Sequence, residues 1–146
     1  MRIYVDTSAL LKRFVAEAQS DRFDQFVMQS SEFDQLTLSP LCLTEAVSAL
    51  KRRERMGELD AKYVLSAWGQ LQQEVSAGLW MMTPFPALAF AKACEDMLAM
   101  TTPLAALDAL HLATAQLCNC QAMASSDARL CDAAHQVGLQ VHRFDS

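Results

Sequence analysis

Short apolar runs alternate with longer stretches of helical period along the whole chain. Arg2-Ile3-Tyr4-Val5 is a β-rich run that predicts a first strand. Asp6-Thr7-Ser8 then stands as a helix cap, and Leu10, Leu11, Phe14 and Val15 mark the apolar face of the helix behind it. Ser20 caps a second helix with Phe23, Phe26 and Val27 inward, and residues 35–38 read as strand two. Ser39-Pro40 is a strong helix start, with Ser as cap and Pro in the first turn; the helix carries Leu43, Ala46, Val47 and Leu50 and stops at Met56-Gly57. Asp60 opens a fourth helix to about Val75 with Val64, Leu65, Trp68 and Leu71 inward. Residues 79–82 read as strand three, and a fifth helix runs from Ala87 to Leu98. Thr102-Pro103 repeats the Ser39-Pro40 device and predicts a central helix to Cys118. Residues 121–124 form a fourth strand, weak by propensity. Asp127 caps a last helix bearing Leu130, Ala133, Ala134 and Val137, and residues 139–142 complete a fifth strand.

Strands that alternate with helices need crossover connections, which give a mainly parallel sheet covered on both faces. The expected architecture is therefore α/β, one three-layer α/β/α domain spanning residues 1–146, with no linker or repeat. The central helix, around Leu107-Asp108-Ala109-Leu110-His111-Leu112-Ala113-Thr114-Ala115, is apolar almost all round, the mark of a buried helix. A carboxylate there is costly unless something pairs with it.

Composition narrows the class. Hydrophobic residues make up 52% of the 146 and charged residues 20%, which excludes a disordered chain. The net charge of −5 argues against a passive nucleic-acid coat, which would be basic, and leaves open an enzyme whose acids sit together. No apolar stretch reaches membrane-span length, and the start of the chain lacks the pattern of a signal peptide. Five Cys, an odd number, fit a reduced cytoplasm better than a disulfide framework. Cys118-Asn119-Cys120 is too tightly spaced for a zinc pair, so all five read as small buried hydrophobes.

Four acids draw together on this plan. Ligand sites in open parallel sheets form at the carboxyl ends of the strands. Asp6 follows strand one, Asp127 follows strand four, and Glu45 and Asp108 lie on helices that leave the same edge. Glu45 stands six residues after Ser39 as Asp108 stands six after Thr102, which predicts both acids in the second turn at similar height. Two ionised carboxylates about 4 Å apart repel by roughly 4 kcal/mol at an effective dielectric near 20. Protons or a cation must relieve them, and an all-oxygen donor set selects Mg²⁺ or Mn²⁺ over zinc. The implied chemistry is attack of an activated water on the phosphorus of a phosphodiester, leaving a 5′-phosphate and a 3′-hydroxyl.

The runs Val5-Asp6-Thr7-Ser8-Ala9-Leu10, Thr44-Glu45-Ala46-Val47-Ser48-Ala49-Leu50, Leu107 to Ala115, and Ser125-Ser126-Asp127-Ala128-Arg129-Leu130 resemble, in order and spacing, the motifs of the PIN-domain ribonucleases, and within them the VapC-type toxins of bacterial toxin–antitoxin pairs. The resemblance covers residues 1 to about 142. It implies a parallel five-stranded sheet, Mg²⁺- or Mn²⁺-dependent endonuclease activity on structured RNA (tRNA or rRNA), a homodimer, and a cognate VapB-like antitoxin that blocks the site. Asp6, Glu45, Asp108 and Asp127 would be the acidic quartet and metal ligands, with Thr7, Ser8 and Ser125 orienting them. Relatives often carry Arg three residues before the third acid, where this chain has Ala105.

Each residue also has a plainer reading. Asp6 and Asp127 stand where helix caps stand, Glu45 alone suits a solvated face, and His111 suits a partly buried, hydrogen-bonded histidine. The run Lys51-Arg52-Arg53-Glu54-Arg55 suits the solvated C-terminal turn of a helix at least as well as an RNA contact. Lys12, Arg13 and Arg129 lie nearer the expected site and are the phosphate candidates, and Glu17 either approaches the metal or pairs with a base. The competing classes are a PIN-fold binding module without catalysis and a phosphotransfer or receiver domain. Against the latter, Ser8 stands where a dehalogenase-like pattern wants a second Asp.

Overall fold

The computed structural model describes residues 1–145. Five strands, β1 (Arg2–Val5), β2 (Gln35–Leu38), β3 (Met81–Met82), β4 (Ala122–Ser125) and β5 (Gln140–Arg143), form one sheet in the order β3-β2-β1-β4-β5. Every pairing is parallel, with Ile3 opposite Leu36 on one side and Ala122 on the other. Seven helices connect them: α1 (Thr7–Leu10), α2 (Ser20–Ser30), α3 (Pro40–Arg55), α4 (Ala61–Ser76), α5 (Ala89–Ala99), α6 (Ala106–Leu117) and α7 (Ala128–Gln136). The result is the three-layer α/β/α arrangement expected from the alternation.

The inner strands are buried on both faces, so they read as continuous apolar runs. Ile3, Tyr4 and Val5 are fully enclosed, as are Leu36 and Leu38. β4 forms despite its poor propensity because it lies between β1 and β5, with all four of its residues buried. There, packing on both sides overrides intrinsic preference. Gly57 sits at φ 77° just past α3, in the left-handed conformation that ends a helix cheaply only for glycine.

Several expectations need correction: Leu65, expected inward on α4, is 72% exposed, and the third strand forms over Met81–Met82 and not from residue 79. The first helix is a single turn, α1, continued as a 3₁₀ turn over Leu11–Arg13. The central helix starts at Ala106 and not at Thr102-Pro103, with Ala105 extended as its cap residue. Leu104 packs against both apolar clusters while the chain ahead of the helix is still extended, so side-chain burial overrides the Thr-Pro start. Asp108 therefore lies in the first turn of α6, whereas Glu45 lies in the second turn of α3. The helix is buried at Ala109 and from His111 to Ala115, but Leu110 is half-buried and Leu107 is exposed. Finally, all five cysteines are free as expected, yet only Cys42, Cys120 and Cys131 are buried; Cys94 is on the surface and Cys118 is half-buried. Among the described residues no helix is long and apolar enough to cross a membrane.

Candidate functional site

The sheet order reverses between β1 and β4: the chain builds outward through β2 and β3 on one side and through β4 and β5 on the other. The crevice at the carboxyl ends of such a pair is where open α/β sheets bind ligands. Asp6 follows β1 there and is 2% exposed. It caps α1, accepting from the Ala9 backbone N–H at 3.0 Å, and its two oxygens receive Ser8 Oγ at 2.8 and 2.9 Å and Ser125 Oγ at 2.9 Å. Ser125 Oγ accepts in turn from the Asp127 N–H at 3.0 Å, and Ser8 Oγ from the Ser126 N–H at 3.0 Å. These two hydroxyls stitch the end of β4 to the end of β1 and hold the Asp6 carboxylate in one orientation. Burial pushes the Asp6 carboxyl up, against the stabilisation that its charge draws from His111, the Ala9 N–H and the two serines.

Glu45, one turn and a half into α3, accepts from Thr7 Oγ1 at 2.8 Å and from His111 Nε2. His111 is 1% exposed and is pinned at Nδ1 by the Tyr4 hydroxyl at 2.7 Å, which meets Ser39 Oγ at 2.8 Å. The plain reading of His111 thus stands. Its partner across the fold is the residue that the sequence left open. Partial burial works against the Glu45 charge, but the bond from His111, its charge and the Thr7 hydroxyl outweigh it and hold this carboxyl below its ordinary range. Ser39 keeps its place at the start of α3 but makes no cap hydrogen bond with its side chain.

Asp108 enters from the first turn of α6. Burial, then the charges of Asp127 and Asp6, push its carboxyl up to about 6. Asp127 caps α7, accepting from the Leu130 N–H at 3.0 Å. The cap readings of Asp6 and Asp127 and the cluster reading are therefore both true: the caps fix the acids at the edge of one cavity of about 330 Å³. All four acids line it, with Thr7, Ser8 and His111. Among the described residues no three His, Cys, Asp or Glu side chains close into a ready metal cluster. The donor set is nonetheless all carboxylate and hydroxyl oxygen, and the mutual repulsion that raises Asp108 is what a hard divalent cation would relieve. The residues present fit such an ion, with Asp6, Glu45, Asp108 and Asp127 as the groups to hold it.

The basic residues fall elsewhere than expected. Lys12 is buried, its ammonium on the Ala18 carbonyl at 2.6 Å. Arg13 binds Glu74 through three contacts of 2.9 to 3.0 Å and reaches Asp24 at 3.2 Å. Both side chains leave the 3₁₀ turn for these partners, and neither lines the cavity. Arg129 is exposed on α7 and does not line the cavity. Glu17 pairs with Arg53 at 3.1 Å. The cations that do line the cavity are Arg52 and Arg55. Helix register alone could have found them: Glu45, Ala49, Arg52 and Arg55 recur at helical spacing on one face of α3.

The Arg13 site is structural, and Glu74 is its hub, since it also accepts from Trp80 Nε1 at 3.0 Å. Glu74→Ala would leave a buried indole N–H without a partner and a half-buried guanidinium with only the longer contact to Asp24. The variant is expected to lose about 2 kcal/mol of stability in urea unfolding, with the acid cluster untouched.

No curated protein is detectably similar in sequence. Solved structures share its fold. VapC20 of Mycobacterium tuberculosis, a sarcin–ricin loop cleaving toxin, aligns over 90% of this chain and 94% of its own at 17% identity, with a TM-score of 0.69. VapBC2 of Rickettsia felis, bound to a DNA fragment from its promoter, aligns over 99% of this chain and 100% of its own at 11% identity, with a TM-score of 0.72. DNA-bound VapBC from Salmonella typhimurium aligns over 99% and 98% at 11% identity, with a TM-score of 0.68. At these identities the likeness is one of fold. The sequence pattern of the PIN domain, however, matches from residue 3 to residue 136, a span that takes in β1, the acid-bearing helices and the cap of α7. The chain is a member of the PIN-domain family.

Proposed function

We propose that the protein is an endoribonuclease dependent on Mg²⁺ or Mn²⁺ and acts as the toxin of a toxin–antitoxin pair. The observation that carries this reading is the convergence of Asp6, Glu45, Asp108 and Asp127 on one cavity at the carboxyl edge of the sheet, with Asp108 raised to about 6 by burial and by its acidic neighbours. A structural role would pair these acids with bases; here His111 holds Glu45, and among the described residues neither Arg52 nor Arg55, which line the same cavity, forms an ion pair with any of the four. Family membership supports a nuclease, and neighbours that include a sarcin–ricin loop cleaving toxin and VapBC complexes support RNA as substrate and a VapB-like antitoxin as partner.

The division of labour follows from the geometry. When bound, a divalent cation would supply charge neutralisation and activation of water for attack on phosphorus. Asp6, fixed by Ser8, Ser125 and the Ala9 N–H, offers a carboxylate that needs no reorganisation. Thr7 and His111 both engage Oε1 of Glu45 and so set the plane of that carboxylate. Asp108, its carboxyl raised to about 6 by burial and by the charges of Asp127 and Asp6, can exchange a proton near neutral pH. Residues 1–146 act as one domain, in the cytoplasm and as a homodimer, on this reading.

The test is cleavage of total RNA by the purified protein with Mg²⁺ or Mn²⁺, with EDTA as control and end-group analysis of the products. Discrete fragments with 5′-phosphates, absent in EDTA, are expected. Intact RNA together with no metal binding by calorimetry would favour the binding-module alternative.

A further inference from the structure

We propose that Arg52 and Arg55 hold phosphates of the RNA beside the scissile bond, so that the strand runs along the cavity face of α3. The inference rests on the ribonuclease reading and names the part of the site that engages the substrate. A cavity walled by four carboxylates repels a polyanion, and relief of charge at the acids does nothing for the flanking phosphates. They need cations of their own.

The structure sorts the basic run of α3 by helix register. Lys51 is paired with Glu54 at 2.7 Å, and Arg53 is held between Glu17 and Glu58, both at 3.1 Å. Arg52 and Arg55 lie on the cavity side, exposed, and among the described residues no acid or carbonyl engages either guanidinium. Most other arginines of the chain are engaged: Arg2 on the Cys118 carbonyl, Arg13 on Glu74, Arg22 over the Phe144 ring, Arg143 on Asp132 and Asp145. Free guanidinium forks beside an acid cavity are placed for phosphate, which they grip with two parallel bonds.

Position along the helix sets which phosphates they meet. At 1.5 Å of rise per residue, Arg52 stands about 10 Å and Arg55 about 15 Å along α3 from Glu45. A stacked strand advances about 3.4 Å per nucleotide, so the two forks serve phosphates a few nucleotides to one side of the cut and not the reacting one. Between the acids and the forks α3 presents only Ser48 and Ala49 to the cavity, side chains small enough to let a sugar–phosphate backbone lie against the helix.

The experiment compares wild type, the Arg52→Ala/Arg55→Ala double variant and the Arg52→Lys/Arg55→Lys double variant. Binding of a labelled mixed-sequence single-stranded RNA is measured in EDTA across a salt series, and cleavage kinetics are measured with Mg²⁺. The alanine variant is expected to bind about tenfold more weakly at low salt, equally for every sequence. Its log–log salt slope should be shallower by about 1.4, that is about 0.7 for each lost phosphate contact. Its KM should rise while kcat changes little, and the lysine variant should recover the slope. If wild type cuts RNA while the alanine variant binds and cuts as well as it does, the inference is overturned and the ribonuclease reading stands. The same holds if the substitutions abolish only binding of an acidic antitoxin segment. If wild type neither binds nor cuts RNA, both fall.

Discussion

Asp6→Asn is expected to reduce RNA cleavage by a factor on the order of 10³ while the chain stays folded. The substitution keeps the shape and the cap: an amide oxygen still accepts from the Ala9 N–H, as Oδ1 does now at 3.0 Å, and from Ser8. The amide nitrogen then faces Ser125 Oγ, which has the lone pairs to receive it. Only the negative charge is removed, from a carboxylate that is 2% exposed and held by three donors at the floor of the cavity. Asp6→Ala would confound the result, because loss of the cap alone costs about 1 kcal/mol and strands two buried hydroxyls. Initial cleavage rates with saturating Mg²⁺, read beside thermal unfolding and calorimetric metal titration, check the expectation. Unchanged cleavage would reduce Asp6 to a helix cap and remove the floor from the proposed mechanism.

How much of this was readable beforehand depends on the range of the interaction. The caps at Asp6, Asp60 and Asp127 are local, made within three residues, and each forms as its sequence suggests. The parallel sheet was legible because apolar runs buried on both faces have one economical architecture. Where tertiary packing decides, local signals mislead. Thr102-Pro103 carries the same helix-start chemistry as Ser39-Pro40, yet Leu104 is packed while still extended and α6 waits for Ala106. Lys12 and Arg13 are close to Asp6 in sequence, but one 3₁₀ turn sends them to Ala18 and Glu74. Arg52 and Arg55 were hidden for the opposite reason. They lie in a run of like charges, and only the helix register, with Glu45 as its reference, separates the two that face the cavity from those that pair outward. The Tyr4–His111–Glu45 chain joins residues 107 and 66 positions apart by packing alone, and no local pattern announces it.

Asp108→Asn is expected to make the metal-free protein more stable and at the same time inactive, a combination that a structural acid does not give. The Asp108 carboxyl stands at about 6 in the folded chain, raised by burial and by the charges of Asp127 and Asp6, against an unfolded value near 3.8. For a group whose folded pKa is raised in this way, the native state binds more protons than the unfolded state between those two values. Below about pH 4 the group is neutral in both states and costs nothing. As pH rises through about 6 the native state is forced to carry the charge, and stability falls. Above that the penalty is complete. It is on the order of 1 kcal/mol once solvent screening of a half-buried group and the favourable N-terminal end of α6 are set against it, or a few degrees in Tm. In EDTA, Asp108→Asn should therefore melt a few degrees above wild type at pH 7.5 and together with it at pH 4. Mg²⁺ or Mn²⁺ should raise wild type by mass action and close the gap, while raising the variant much less. Cleavage by the variant should fall on the order of 10² or more. A variant that is less stable than wild type at pH 7.5 without metal would mean that Asp108 is paired in the folded protein and that the acids do not crowd one another. The case for a cation at this cavity would then fail at its electrostatic root.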